Sequence, residues 1–196
     1  PPKAVAVDPN RTLFGVAEGI RNDRVMQETG ATWERLVGSW SAAQPNGAGD
    51  FSRLGQVLPM AVVDAQVDRG VRIAGLVQFT PRWAQANPQQ GERSPPRNLE
   101  LPYDDPQNYF GRFMFELARA YAGRIDEWII WNEPEFRPGE PGVGESYTWL
   151  GTDEQFAQLL EVGYRAVKAA NPDALVSFAG TSYWTDVNAK RDQYYD

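Results

Sequence analysis

The sequence predicts an α/β fold, the N-terminal portion of a (β/α)8 TIM barrel covering about strands 1 to 5. Three observations lead there. Short apolar strands alternate with amphipathic helices at roughly 40-residue intervals, the order that gives parallel strands joined by right-handed crossovers. A doubly wound open sheet shares that order, but its G-x-G-x-x-G signature after the first strand is absent. A full barrel takes eight units and ~250 residues, whereas five strands and four helices are counted in these 196 residues. The expectation is one barrel domain over residues 1–196, incomplete at its C-terminus, truncated after the fifth strand or completed by a second chain.

The elements follow in order. Thr12 to Ala17 reads as a first strand, and Asn22 to Thr29 as a helix that Gly30 stops. Thr32 to Val37 is a second strand. After a turn-rich loop, Pro45 to Gly49, a helix over Phe51 to Arg69 places Leu54, Val57, Leu58, Ala61, Val62 and Ala65 on one face. Val71 to Phe79 is a third strand. The irregular stretch Thr80 to Asp105 contains Pro81, Pro88, Pro95, Pro96 and Pro102, and long ordered loops tend to carry function. A helix over Pro106 to Tyr121 buries Phe110, Phe113, Met114, Leu117 and Ala118. Ile125 to Trp131 is a fourth strand, followed by a Gly- and Pro-rich loop to Gly151. Thr152 or Asp153 caps a helix that Asn171-Pro172 ends. Ala174 to Ala179 is a fifth strand.

Composition limits the chemistry. There is no Cys and no His, which excludes disulfides, thiol chemistry, Ser-His-Asp triads and zinc sites built from His and Cys. No metal site and no cofactor is expected. Acid–base work falls to Asp, Glu, Lys or Tyr. The net charge of −7, with no Lys/Arg block, argues against nucleic acid or an anionic membrane as partner. No apolar run approaches the ~20 residues that span a bilayer. Pro1-Pro2-Lys3-Ala4 carries no signal-peptide pattern, which is compatible with one removed ahead of this numbering.

The residues that carry chemistry lie in Ile129-Ile130-Trp131-Asn132-Glu133-Pro134-Glu135. An apolar strand ends in an amide, a carboxylate and a proline. Pro134 biases Glu133 away from the helical region, so the last residues are expected to stay extended. Glu133 then sits at the C-terminal mouth of the sheet, where α/β barrels build active sites. Trp131 and Phe136 supply apolar surroundings, and desolvation raises a carboxyl pKa, as a general acid near neutral pH requires. Asn132 both donates and accepts hydrogen bonds, which suits a sugar hydroxyl. The alternative is a solvated Glu at an ordinary strand end.

Asn-Glu-Pro after a fourth apolar strand resembles the acid/base motif of retaining glycoside hydrolases of clan A, closest to family 39, the β-xylosidase and α-iduronidase group, with family 5-like enzymes next. Further segments match in order. Gly30-Ala31-Thr32-Trp33-Glu34-Arg35 resembles the second strand, whose Arg contacts the nucleophile. Trp40 and Gln44-Pro45 resemble the Trp and Glu-Pro that follow, with Gln in place of Glu. Thr80-Pro81-Arg82-Trp83-Ala84 resembles the Thr-Pro-x-Trp-Ala after strand three, and Tyr164 to Asp173 the helix before strand five. The resemblance implies double displacement with retention, the two carboxylates ~5–5.5 Å apart. It makes Glu133 the general acid/base and Asn132 the partner of the sugar's 2-hydroxyl. It expects the nucleophilic Glu on a seventh strand, beyond residue 196. Glu18, Glu135, Glu140 and Glu145 are not assigned that role. The absence of His is a second departure from the pattern.

Other candidates have two readings each. Arg35 contacts the nucleophile or is a structural ion-pair partner, and its neighbour Glu34 points to the opposite face. Trp40 and Trp83 stack on sugar or close the barrel mouth. Trp184, with Tyr183, forms a platform or core. Asp104-Asp105 reads as a turn and helix cap preceding Pro106 rather than a metal site. The sequence thus predicts a secreted or extracytoplasmic retaining O-glycosidase acting on β-linked plant or microbial polysaccharide or oligosaccharide, with a cytoplasmic location as alternative. The piece by itself is expected to be inactive. The competing reading is a catalytically inactive carbohydrate-binding or scaffold protein on a degenerate barrel.

Overall fold

Five parallel strands lie side by side in sequence order: β1 (Gly15–Ala17), β2 (Trp33–Ser39), β3 (Arg72–Gln78), β4 (Glu127–Ile130) and β5 (Leu175–Ser177). The structure is a computed structural model and describes residues 14–136, 138–139 and 147–181. A doubly wound sheet reverses its direction of growth at a switch point. This one does not, which leaves the singly wound arrangement of a barrel wall.

The helices are α1 (Asp23–Thr29), α2 (Trp40–Ala43), α3 (Leu54–Val57), α4 (Met60–Asp68), α5 (Tyr109–Ala120) and α6 (Asp153–Ala170), with short 3-10 segments at Gly19–Asn22, Arg82–Ala84 and Pro88–Arg93. The single helix expected over Phe51 to Arg69 is two. Pro59 lies between them, and Leu58 before it is extended at φ −124°, ψ 107°. The proline ring disfavours the helical conformation at the residue it follows. Asn108 sets the start of α5 later than expected. Its side chain accepts from the Gly111 N–H at 3.0 Å and donates to the Leu101 carbonyl at 2.8 Å. Thr152 and Gln155 cap α6 reciprocally, side chain to backbone in both directions.

Register sorts the sheet into two faces. Leu36, Gly75, Trp128 and Val176 are aligned on one, as are Gly38, Val77 and Ile130. This face packs on the helices. Phe110, Phe113, Met114 and Leu117 of α5 join Leu159, Val162 and Ala166 of α6 over it, all buried. Each of these side chains larger than Ala166 contributes about 1.5–3 kcal/mol on leaving water. Gly163 lets α6 settle on β4, since a Cβ there would stand 2.4 Å from Ile130 Cδ1. The opposite face carries Arg35, Ala74, Glu127 and Leu175, then Val37, Leu76, Ile129 and Ser177. In a closed barrel this face is the interior; Val37 and Leu175 are exposed on it.

At the N-terminal end of that face, the Arg72 guanidinium lies 4.0 Å over the Trp33 ring and pairs with Glu127. Burial pushes the Glu127 carboxyl above the ordinary carboxylate range; Arg72 opposes this and Asp126 adds to it. A carboxyl so raised holds its proton more tightly in the folded than in the unfolded state. Its ionisation therefore costs stability at neutral pH; the cost shrinks once pH falls below the folded pKa and is gone below the unfolded one. The expected result is that the native protein gains stability relative to Glu127→Gln between about pH 7 and about pH 4, below the ordinary glutamate pKa, read from urea unfolding at the two pH values. A gap independent of pH, or one that shrinks on acidification, contradicts this.

Candidate active site

The C-terminal end of the sheet is marked by unusual backbone. Glu18, Phe79 and Trp131 follow β1, β3 and β4 immediately, and all have positive φ, at 55°, 72° and 70°. Non-glycine residues take this conformation rarely and at a cost. Here each ends a strand abruptly and turns the chain into a loop over the mouth.

The turn after β4 carries the candidate acid. The Trp131 N–H still donates to the Val77 carbonyl of β3 at 2.8 Å, but its left-handed φ ends the strand. The expected strand to Trp131 therefore stops at Ile130. The Trp131 ring is fully buried, 5.1 Å from Trp149 and 6.4 Å from Phe79, both edge to face. Asn132 and Glu133 are half-buried, and Pro134 is buried. Glu133 has φ 45°, so the expectation of an extended residue before Pro134 is corrected. Tertiary hydrogen bonds override the local preference. The Glu133 N–H donates to the Gly180 carbonyl beyond β5 at 2.9 Å. The Thr148 hydroxyl reaches the carbonyls of both Asn132 and Glu133. Phe136 is buried against Tyr147, one residue before Thr148.

A second cluster lies beyond β2 and β3. Trp40 has no exposed surface. It stacks on Phe113 at 5.1 Å, meets Phe110 and Trp83, and donates its Nε1–H to Gln44 Oε1 at 2.9 Å. A ring sealed on all sides offers no face to a sugar, so Trp40 belongs to the core beneath the mouth. Trp83 is half-buried, and its Nε1–H donates to the Gln44 carbonyl at 2.7 Å. Gln44, which stands where the resembling enzymes have Glu, is itself buried and ties both tryptophans to one turn.

Arg35 lies on the inner face of β2, half-buried, and its Nε has no hydrogen-bond partner among the described residues. It is in register with Ala74 and Glu127, six residues before Glu133 on the fourth strand, so the register does not bring the two side chains level. Glu34 points the other way and accepts from the Ile20 N–H. Asp105 accepts from the Gln107 N–H at 2.7 Å in the turn before α5. Trp184 and Tyr183 lie outside the described residues. Thr148 was not singled out from the sequence, because nothing in a Gly- and Pro-rich loop marks it. Another missed feature is a hydroxyl chain at the end of β2. There Ser39 Oγ and Ser41 Oγ lie 2.9 Å apart, and Ser41 donates to Glu92 Oε1 at 2.7 Å. Among the described residues no three acidic side chains gather as a cation site, and no helix is long and apolar enough to cross a membrane.

No protein-family model matches the sequence, and no curated protein sequence matches it. Solved structures do match. The β-glycosidase of the hyperthermophile Thermosphaera aggregans superposes with a TM-score of 0.56 at 14% identity, over 82% of this chain and 42% of that one. A family 5 glycoside hydrolase of Streptomyces cattleya, solved in complex with Manβ1-4GlcNAc, gives 0.54 at 22% identity, over 77% and 36%. A family 5 lichenase of Caldicellulosiruptor, solved with cellotetraose, gives 0.53 at 15% identity, over 85% and 44%. The chain thus spans less than half the length of each. At these identities the likeness is one of fold: the parallel five-stranded sheet and its helices match part of the (β/α)8 barrel of glycoside hydrolases.

Proposed function

We propose that this chain supplies the first five strands of a clan A glycoside hydrolase barrel, with Glu133 as the proton-donating acid/base of a retaining O-glycosidase. The supporting observation is the place of Glu133. It stands half-buried just past the C-terminal end of β4, on a turn tied to Gly180 beyond β5 and to Thr148 of the following loop. That is the end of the sheet on which barrel enzymes assemble their sites. Asn132 beside it is the candidate for holding the sugar's 2-hydroxyl, Arg35 for contacting the nucleophile, and Trp83 for a sugar-facing aromatic wall. The nucleophile belongs to a later strand, beyond residue 196, ~5–5.5 Å from the acid in a retaining site. In the first step the nucleophile attacks the anomeric carbon while Glu133 protonates the departing oxygen. In the second, Glu133 as carboxylate takes a proton from the water that hydrolyses the glycosyl-enzyme. The substrate class is a β-linked polysaccharide or oligosaccharide, and the enzyme is secreted or extracytoplasmic.

The test is the anomeric configuration of the first product, followed by proton NMR with the full-length protein. Retention is expected. Inversion excludes double displacement. Sugar binding without any hydrolysis leaves the sugar-binding scaffold.

A further inference from the structure

We infer that Thr148 is the positioning residue of the acid, fixing the direction in which Glu133 presents its carboxyl; the inference rests on the reading of Glu133 given above. The backbone geometry carries it. Two peptide planes flank the Glu133 Cα. The first, between Asn132 and Glu133, is held at both ends: its N–H donates to the Gly180 carbonyl at 2.9 Å and its C=O accepts from the Thr148 hydroxyl. The second, between Glu133 and Pro134, has no N–H to offer, because proline lacks one. Its only hydrogen-bonding group is the Glu133 carbonyl, which lies 3.2 Å from the same hydroxyl. Thr148 therefore touches both planes. Together with Gly180 it sets φ and ψ of Glu133, and so the direction of its Cα–Cβ bond.

That hold is needed because the conformation is unfavourable. A φ of 45° at a non-glycine residue is strained and persists only where the surroundings over-determine it. Thr148 is itself fixed from both sides. Before it, Tyr147 lies under the Arg93 guanidinium at 4.5 Å. After it, Trp149 is fully buried between Trp131 and Phe156. The Leu150 N–H donates to the Arg93 carbonyl at 2.9 Å, and the Gln90 amide donates to the Leu150 carbonyl at 3.0 Å. Gly151 completes the stitch, since a Cβ there would stand 2.5 Å from Pro95 Cγ. The long loop after β3 thus grips the loop after β4 and holds the hydroxyl against the acid's backbone.

The experiment compares Thr148→Val, which keeps the shape and removes the hydroxyl, with Thr148→Ser, which keeps the hydroxyl. The full-length protein is assayed on methyl and dinitrophenyl β-glycosides of glucose, mannose and xylose. Methanol departs only when the glycosidic oxygen is protonated; dinitrophenolate leaves unaided. Thr148→Val is expected to lose about 10- to 100-fold in kcat/KM, which reports the first step, on the methyl glycoside and under about 3-fold on the dinitrophenyl one, with Thr148→Ser restoring the first. Equal loss on both substrates, no loss on either, or a loss that Ser does not restore overturns the inference. Glu133→Gln is measured alongside. If Glu133→Gln loses the methyl activity and Thr148→Val does not, only the positioning role fails. If Glu133→Gln loses nothing, the acid assignment fails and the positioning role with it.

Discussion

Glu133→Gln in the full-length protein is expected to lose roughly 10²–10⁴ in rate on glycosides with poor leaving groups. That range corresponds to about 2.7–5.4 kcal/mol of lost transition-state stabilisation. An alkoxide is too basic to depart unprotonated, and Gln offers no acidic proton. The substitution is nearly isosteric, so the fold is expected to survive it. The backbone hydrogen bonds that hold residue 133, to Gly180 and from Thr148, do not involve the side chain. On activated aryl glycosides the first step should be spared. Unchanged hydrolysis of an unactivated glycoside by this variant removes Glu133 from the acid role, whatever the fold.

The parts of the site that were legible in the sequence are those set by period and local chemistry. The alternation of strand and helix gave the parallel sheet, and Phe110, Phe113, Met114, Leu117 and Ala118 fell on the buried face of α5 as their spacing predicts. Asn-Glu-Pro at the end of an apolar strand put Glu133 at the mouth. Pro59 was visible too, but the apolar stripe across it read as one helix, and Leu58 shows why that failed: the residue before a proline left the helix. What stayed hidden depends on partners far along the chain. The left-handed turn at Glu133 is fixed by Thr148 and Gly180, 15 and 47 residues away, and a local rule applied to Pro134 gave the wrong conformation. The level of Arg35 on the inner face follows from strand register, which no single strand discloses. Trp40 and Trp83 had the same two readings in sequence, and only packing separates them.

Trp40→Ala is expected to cost about 3–5 kcal/mol of stability, the range for emptying a buried aromatic site. Trp40 has 0% exposure and lies between Phe113, Phe110 and Trp83, at 5.1, 5.4 and 6.1 Å between ring centres. Removing the indole leaves a cavity where β2, α5 and the loop after β3 meet. It also strips the buried Gln44 amide oxygen of its indole donor, and an unsatisfied buried group costs about 1–3 kcal/mol. The effect reaches the mouth through Gln44, because the carbonyl of that residue holds the Trp83 indole. Trp83→Ala, at a half-buried ring, should cost less stability. Urea unfolding of the full-length protein and of both variants separates the roles. A sugar-stacking wall at position 40 would instead raise KM while leaving the unfolding midpoint near that of the native protein, and that outcome would contradict the core assignment. Trp83 is the ring of the pair with exposed surface, and its hold on Gln44 makes any sugar contact it offers depend on the tryptophan buried beneath it.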